Sequence, residues 1–219
     1  MAITTLSEFS KSRIVATLGV DSDRIVVTYS GVDGTFAEPS SSPVERPYLL
    51  CVGRTYPHKN AARLVRAFDR VASEIPHALV LLGKPDRGEP PSHPRVKRIY
   101  GLDIRSLGGL YQHADLHVYP SLYEGFGRPL VEAQEAGTRV VASNAAAIPE
   151  IAGSGATYFN PRSESSIAEA ILAALREPAN VRTGIIQAGR ENSRRFTWEF
   201  SARETLHAIR LAFESNGNR

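Results

Sequence analysis

Glu124 and Glu132 stand eight positions apart, separated by Gly125-Phe126-Gly127-Arg128-Pro129-Leu130-Val131. The apolar run 116–119 precedes them and a helical pattern, 129–136, follows. A strand, a glycine turn and a helix start make an anion site. The first N–H groups of a helix have no intrahelical acceptor, and the dipole favours negative charge there. Glycines allow close approach of the backbone to a ligand. Glu132 is expected in the first turn of that helix, facing the same pocket. Such a site can hold a phosphate ester and accept hydrogen bonds from its hydroxyls at once.

Spacing alone leaves a plainer reading open. Glu124 can be a neighbour of a helix N-cap, Glu132 an ordinary first-turn acid, and the glycines turn residues. The dinucleotide fingerprint fails, because Leu130 occupies the third-glycine position, and the phosphate-loop pattern fails, because no Lys-Ser or Lys-Thr follows the glycines. The rest of the chain has to decide.

The elements that must position these residues alternate between strand and helix. Strand-like runs fall at 25–29, 48–52, 78–82, 96–100, 116–119 and 139–142. Helical periodicity falls at 61–72 (with Asn60 as a cap), 104–113, 129–136, 163–176, 181–194 and 198–213. Residues 37–47 are rich in Ser and Pro and read as a loop or linker, and 84–94 as an exposed loop. The alternation predicts an α/β fold, a Rossmann-like parallel sheet with helices on both faces. Ligands of such sheets bind beyond the carboxyl ends of the strands. The loop carrying Gly53, Arg54 and Lys59, the loop Gly101-Leu102-Asp103 that follows Tyr100, and the stretch Glu124 to Glu132 should therefore share one sheet edge. Arg makes bidentate bonds to phosphate and Lys supplies a mobile charge. Cations next to a helix start oppose its dipole, and a bound anion would remove that conflict.

Composition narrows the classes. The chain has 219 residues, 42% hydrophobic and 22% charged, with a formal net charge of +3. One cysteine, Cys51, excludes an internal disulfide framework and a Cys-rich zinc site; its place in an apolar run reads as a core thiol. The six histidines show no metal-ligand spacing, and His58, though in the Arg54–Lys59 loop, reads as an exposed loop residue. No apolar run is long enough to span a membrane, and no signal peptide is visible, so a cytoplasmic location is the default. No zinc-finger spacing, RNA-recognition motif or long basic run supports nucleic acid as a partner.

The residues then resemble a known family. Glu124 through Glu132, in the setting Ser121-Leu122-Tyr123-Glu124-Gly125-Phe126-Gly127, is similar to the Glu-x7-Glu signature of the retaining, nucleotide-sugar-dependent transferases of the GT-B fold, in particular glycosyltransferase family 4. Val52-Gly53-Arg54 with Lys59-Asn60, Ala114-Asp115-Leu116, Ile148-Pro149-Glu150-Ile151-Ala152-Gly153, and Thr28-Tyr29-Ser30-Gly31-Val32-Asp33 extend the likeness in order. The resemblance implies that Arg54 and Lys59 hold the donor diphosphate, with Gly53 allowing its approach. Backbone groups near Tyr100 and Leu102 would meet the nucleobase, and Glu132 the ribose hydroxyls. Glu124 would contact the transferred sugar, and the amides of Gly125, Phe126, Gly127, Leu130 and Val131 its hydroxyls and the distal phosphate. No metal or other cofactor is implied. The chain departs from the family pattern with Arg128 for an apolar residue, Ser30 for Asn, Gln134-Glu135 for an apolar-small pair, and Ala145-Ala146-Ala147 where small or Gly residues are common.

On this resemblance residues 1–36 are the remnant of an inter-domain segment plus the first strand of the donor domain. Residues 37–47 are a loop, 48–197 the donor-binding domain, and 198–219 a helix that crosses back to a first, acceptor-binding domain. That first domain is nearly absent from this chain, which is then either the C-terminal half of a GT-B fold or a short protein with a partner chain. Glu150 reads as a helix cap. The function implied is transfer from a nucleoside diphosphate sugar, in polysaccharide or lipopolysaccharide synthesis at the inner face of a membrane, with peripheral membrane association. A nucleotide-sugar-binding subunit without catalysis is the alternative. A glycoside hydrolase using Glu124 and Glu132 fits worst, since its acid–base pair needs no cations at the same sheet edge.

Overall fold

The computed structural model describes residues 2–32, 34–53, 56–84 and 93–217. Asp33, Arg54, Thr55 and residues 85–92 lie outside the described residues, and with them most of the predicted 84–94 loop.

The chain opens with β1 (Ile3–Thr5), α1 (Glu8–Leu18) and β2 (Ile25–Val27). β1 and β2 pair in parallel, Ile3 opposite Ile25, as a separate two-stranded sheet. The strand expected at 25–29 therefore does not join the main sheet. It also stops early, because Tyr29 turns to φ 38°, outside the β region.

The main sheet follows: β3 (Tyr48–Val52), α2 (Ala61–Val71), β4 (Ala78–Leu82), β5 (Val96–Ile99), α3 (Ile104–Gln112), β6 (Leu116–Tyr119), α4 (Arg128–Glu135), β7 (Val140–Ser143), α5 (Ile148–Ala152) and β8 (Ala156–Phe159). α6 (Glu164–Arg176), α7 (Ala179–Ser193) and α8 (Trp198–Gly217) close the chain. The six strands are all parallel, in the order β5-β4-β3-β6-β7-β8. From β3 the chain winds outward through β4 to β5, then returns beside β3 as β6 and winds the other way. The winding reverses between β3 and β6, the place where sheets of this kind open a crevice at their carboxyl ends.

Strand alternation builds the two faces. Leu49, Cys51, Leu79, Leu81, Leu116 and Val118 meet Leu64, Phe68, Ile167 and Ile171 of α2 and α6. Tyr48, Leu50, Val80, Tyr119, Val140 and Ala142 meet Leu110, Tyr111, Leu130, Ala133 and Ile148 of α3, α4 and α5. Helices thus cover both faces, and the central strands are buried along both. Cys51 is buried in the core, as its apolar run indicates.

Residues 37–47 form a loop tied across α3. Ser40 N donates to Gln112 Oε1 at 3.0 Å, and Gln112 Nε2 donates to the carbonyl of Phe36 at 2.8 Å. The departures at 134 and 135 also have structural roles. Gln134, 1% exposed, accepts from Asn192 Nδ2 at 2.8 Å and donates to the Ala152 carbonyl at 2.7 Å, joining α4 to α7 and α5. The Glu135 carboxylate accepts the N–H of Gly34 at 3.0 Å and of Phe36 at 3.4 Å.

Candidate functional site

The loops after β3 and β6 flank the reversal of winding, and they are laced together. The N–H of Leu122 donates to the His58 carbonyl at 2.7 Å. Asn60 Nδ2 donates to the carbonyls of Pro120 at 3.0 Å and Pro161 at 2.8 Å. Asn60 is the N-cap of α2, as its position in the sequence indicates, but its side chain does not make the cap. It sits at φ 60°, ψ 26°, without a side-chain cap bond, and its amide binds two other loops.

The short 3₁₀ turn Pro57–Lys59 delivers Lys59 into the crevice. Lys59 Nζ lies 2.7 Å from Glu124 Oε1 and 3.3 Å from the Tyr119 hydroxyl, and 5.5 Å from the Tyr119 ring centroid. Lys59 and Glu124 are 17% and 11% exposed along their side chains. The stem of Lys59 lies along Gly53. A Cβ on Gly53 would touch Lys59 Nζ at 3.5 Å, and φ of 87° disfavours any side chain there. The clash between Lys59 and the helix dipole is thus already answered within the chain, by Glu124, and does not by itself demand a bound anion.

Glu124 starts the turn that leads into α4. Gly127, at φ 96°, is the last residue before the helix. The first turn holds no acid: with Arg128 as its first residue, Glu132 is the fifth and lies in the second turn. This corrects the sequence expectation, which started the helix one residue later and counted its first turn too generously. Glu132 is 8% exposed. Its Oε2 accepts a hydrogen bond from the buried Tyr111 hydroxyl at 2.9 Å, and its Oε1 lies 3.6 Å from Arg128 Nε. Arg128 in turn stands over the Trp198 ring, 5.8 Å from its centroid.

The other expected residues fall as follows. Arg54 lies outside the described residues. Tyr100 and Leu102 follow β5, two strands from β3, with Tyr100 55% exposed and Leu102 packed against the core. The side chains of Phe126, Leu130 and Val131 are buried, which leaves only their backbone for a ligand. The N–H of Leu130 is engaged by the Gly127 carbonyl at 2.9 Å, and Pro129 has none. Among the described residues, the N–H groups of Phe126, Gly127 and Arg128 meet no acceptor. Of the expected amides, that of Leu130 is therefore taken within the turn.

Two tyrosines and a histidine below the site escaped the sequence reading. Tyr119 and His117 share one face of β6, and Tyr111 comes from α3. Burial pushes the hydroxyls of Tyr111 and Tyr119 well above the usual tyrosine range, and the nearby carboxylates Glu132 and Glu124 add to it. Both remain neutral donors at ordinary pH. Burial likewise lowers His117 to about 3, with the Leu50 backbone offsetting part of the effect. The available signal was a polar residue at every second position of an otherwise apolar strand.

A cavity of about 560 Å³ lies elsewhere, among Gly34, Glu135, Arg190 and Arg194. Its carboxylate is already bonded to backbone amides, and it does not border the crevice. Among the described residues no group of three or more His, Cys, Asp or Glu could hold a metal ion.

Comparison with known proteins gives these features a family. The model of "Glycosyl transferases group 1" matches residues 33–192. O-antigen chain mannosyltransferase B of Escherichia coli is 30% identical over 235 residues, covering 95% of this chain and 60% of that protein. MMP alpha-(1->4)-mannosyltransferase of Mycolicibacterium hassiacum is 28% identical, covering 92% of this chain and 52% of its own length. The chain thus spans between half and two thirds of these relatives. Anabaena Alr3699/HepE, solved in complex with UDP and glucose, has the same fold at a TM-score of 0.76 and 19% identity, over 96% of this chain and 62% of that one. Sucrose-phosphate synthase from Thermosynechococcus elongatus superposes at a TM-score of 0.79 and 23% identity, over 98% of this chain and 59% of that one. With a family model over most of its length and an α/β sheet that superposes on these transferases, the chain belongs to the group 1 glycosyl transferases.

Proposed function

We propose that this chain is the donor-binding half of a retaining, family 4 transferase. It takes a nucleoside diphosphate sugar and passes the sugar to an acceptor in polysaccharide or lipopolysaccharide synthesis. The observation that carries this reading is the Lys59–Glu124 contact of 2.7 Å at the reversal of the sheet, beside the unbonded amides that open α4. A cation paired to a carboxylate there can turn toward a phosphate oxygen while the carboxylate takes a sugar hydroxyl. Lys59, Arg54 and the helix start would stabilise the charge that grows on the leaving diphosphate, which is catalysis by pre-set electrostatics and needs no metal. Glu132 accepts from the ribose hydroxyls, and the backbone around Tyr100 and Leu102 meets the base. The mannosyltransferase relatives favour mannose as the sugar, and the complex of Alr3699/HepE with UDP favours a nucleoside diphosphate as its carrier.

The partner in this reading is an acceptor-binding domain, and the place of work the cytoplasmic face of a membrane. No helix among the described residues is long and apolar enough to cross one.

Calorimetric titration of the chain with UDP, GDP and ADP tests the reading. One nucleotide is expected to bind saturably. Lys59→Ala should weaken it at least about ten-fold, the scale of one charged hydrogen bond. The double variant Lys59→Ala/Glu124→Gln controls for the carboxylate left unpaired. A folded chain that binds none of the three, or binds equally well without Lys59, sinks the proposal. Transfer on adding the acceptor-binding half separates an enzyme from a subunit that only binds.

A further inference from the structure

The geometry points to Tyr111 as a positioning residue that sets the Glu132 carboxylate for recognition of the ribose; this rests on the donor-site reading above. Tyr111 is fully buried, and its hydroxyl donates to Glu132 Oε2 at 2.9 Å from α3 across to α4. A buried tyrosine hydroxyl needs some acceptor. Two other tyrosine hydroxyls take a backbone carbonyl, Tyr48 donating to Leu110 at 2.7 Å and Tyr158 to Gly153 at 2.5 Å, while Tyr29 donates to the Glu150 carboxylate at 3.1 Å. Tyr111 is directed at the charged side chain of Glu132, itself only 8% exposed.

Its ring is also fixed on two sides. Phe36 meets it edge-on at 5.7 Å and 84°, and His117 at 5.5 Å and 76°. Thr138 Oγ1 donates to the Tyr111 carbonyl at 2.8 Å and pins the backbone. A donor held this firmly allows Glu132 one orientation from beneath, with Oε2 occupied. Oε1 lies 3.6 Å from the Nε of Arg128, a half-exposed side chain. A carboxylate pre-set in this way is ready for a hydroxyl pair without the entropy of a free glutamate rotamer, the condition for a precise binding group. A site built to bond a hydroxyl rejects the analogue without it, because a buried polar group is then left unpaired.

The test uses the whole chain and the nucleoside diphosphate that binds it best, against its 2′-deoxy and 3′-deoxy forms. The wild type is expected to prefer the ribose form, and Glu132→Gln to lose most of that preference. Tyr111→Phe removes one oxygen and keeps the ring. It should reduce the ribose preference at least about three-fold, less than the full value of a charged hydrogen bond. A tyrosine that merely fills the core would lower the melting temperature and leave the preference intact, and that result overturns the proposal. Adding Tyr111→Phe to Glu132→Gln should change the preference no further; an additive loss also overturns it. Should Tyr111→Phe fail to fold, the wild type labelled at tyrosine Cζ gives the answer. The Tyr111 resonance must shift more with the ribose nucleotide than with the deoxy forms, and equal shifts overturn the proposal. A wild type without ribose preference removes the donor-site reading itself, and this is seen before any Tyr111 variant is made.

Discussion

Glu150 caps a helix that begins 142 residues earlier: its carboxylate accepts the N–H of Glu8 at 2.8 Å. The same carboxylate takes the N–H of Phe9 at 2.9 Å and the Tyr29 hydroxyl at 3.1 Å. The sequence marks Glu150 as a cap, and it is one, but for α1 and not for a helix of its own neighbourhood. Through it the β1-α1-β2 unit is fastened to the main sheet.

Glu150→Ala should therefore loosen α1 more than the core. Losing the cap should cost about 1–2 kcal/mol, read by urea unfolding. Amide exchange should rise first over Glu8–Leu18, where no residue is buried. Exchange that rises evenly over the whole chain would contradict this account.

Arg139, 1% exposed along its side chain, forms a two-pronged pair with Glu177: Nε to Oε1 at 2.8 Å and Nη2 to Oε2 at 2.9 Å. Arg139→Met strands Glu177 and should destabilise by about 3–5 kcal/mol. Replacing both, Arg139→Met with Glu177→Leu, should cost clearly less. A double variant as unstable as the single one would mean that Arg139 acts through Thr157 and the Val140 carbonyl instead.

His117 makes stability fall in mild acid. Its folded value of about 3 lies below the ordinary 6.5, so the unfolded chain binds more protons between the two. The contribution is present in full above pH 6.5 and drains away as pH falls toward 3, with a slope of at most about 1.4 kcal/mol per pH unit. His117→Phe should unfold with a flatter pH profile from 6.5 to 4 than the wild type. Parallel profiles would show that the acid limb belongs to other groups.

α8 packs against β1 and β2 but leaves Leu206, Ile209 and Phe213 exposed, at 48%, 48% and 74%. An apolar stripe of this kind promotes association. Ile209→Asp with Phe213→Asp should reduce concentration-dependent self-association in sedimentation while leaving nucleotide affinity unchanged. Equal sedimentation of both proteins would remove that stripe from consideration.

The strands β3, β4 and β6 are legible to the residue, since β3 and β4 are continuous apolar runs closed by Gly, and β6 is apolar but for His117 and closed by Pro. Such runs are buried on both faces and depend little on what surrounds them. β1, α1 and β8 were not: three strand residues, a helix with no buried residue and an edge strand with only Phe159 buried carry too little pattern. The Glu-x7-Glu stretch and the loop of Gly53 and Lys59 were legible as chemistry, and parallel winding put them at one edge. The sequence alone thus determined the α/β class, most of the elements and which loops share the site. Only the tertiary structure decided that Lys59 meets Glu124, that Tyr111 holds Glu132, and that Glu150 caps α1. These contacts join residues 65, 21 and 142 positions apart. Their partners are chosen by helix rotation and strand register, which emerge only when both faces of the sheet are packed at once.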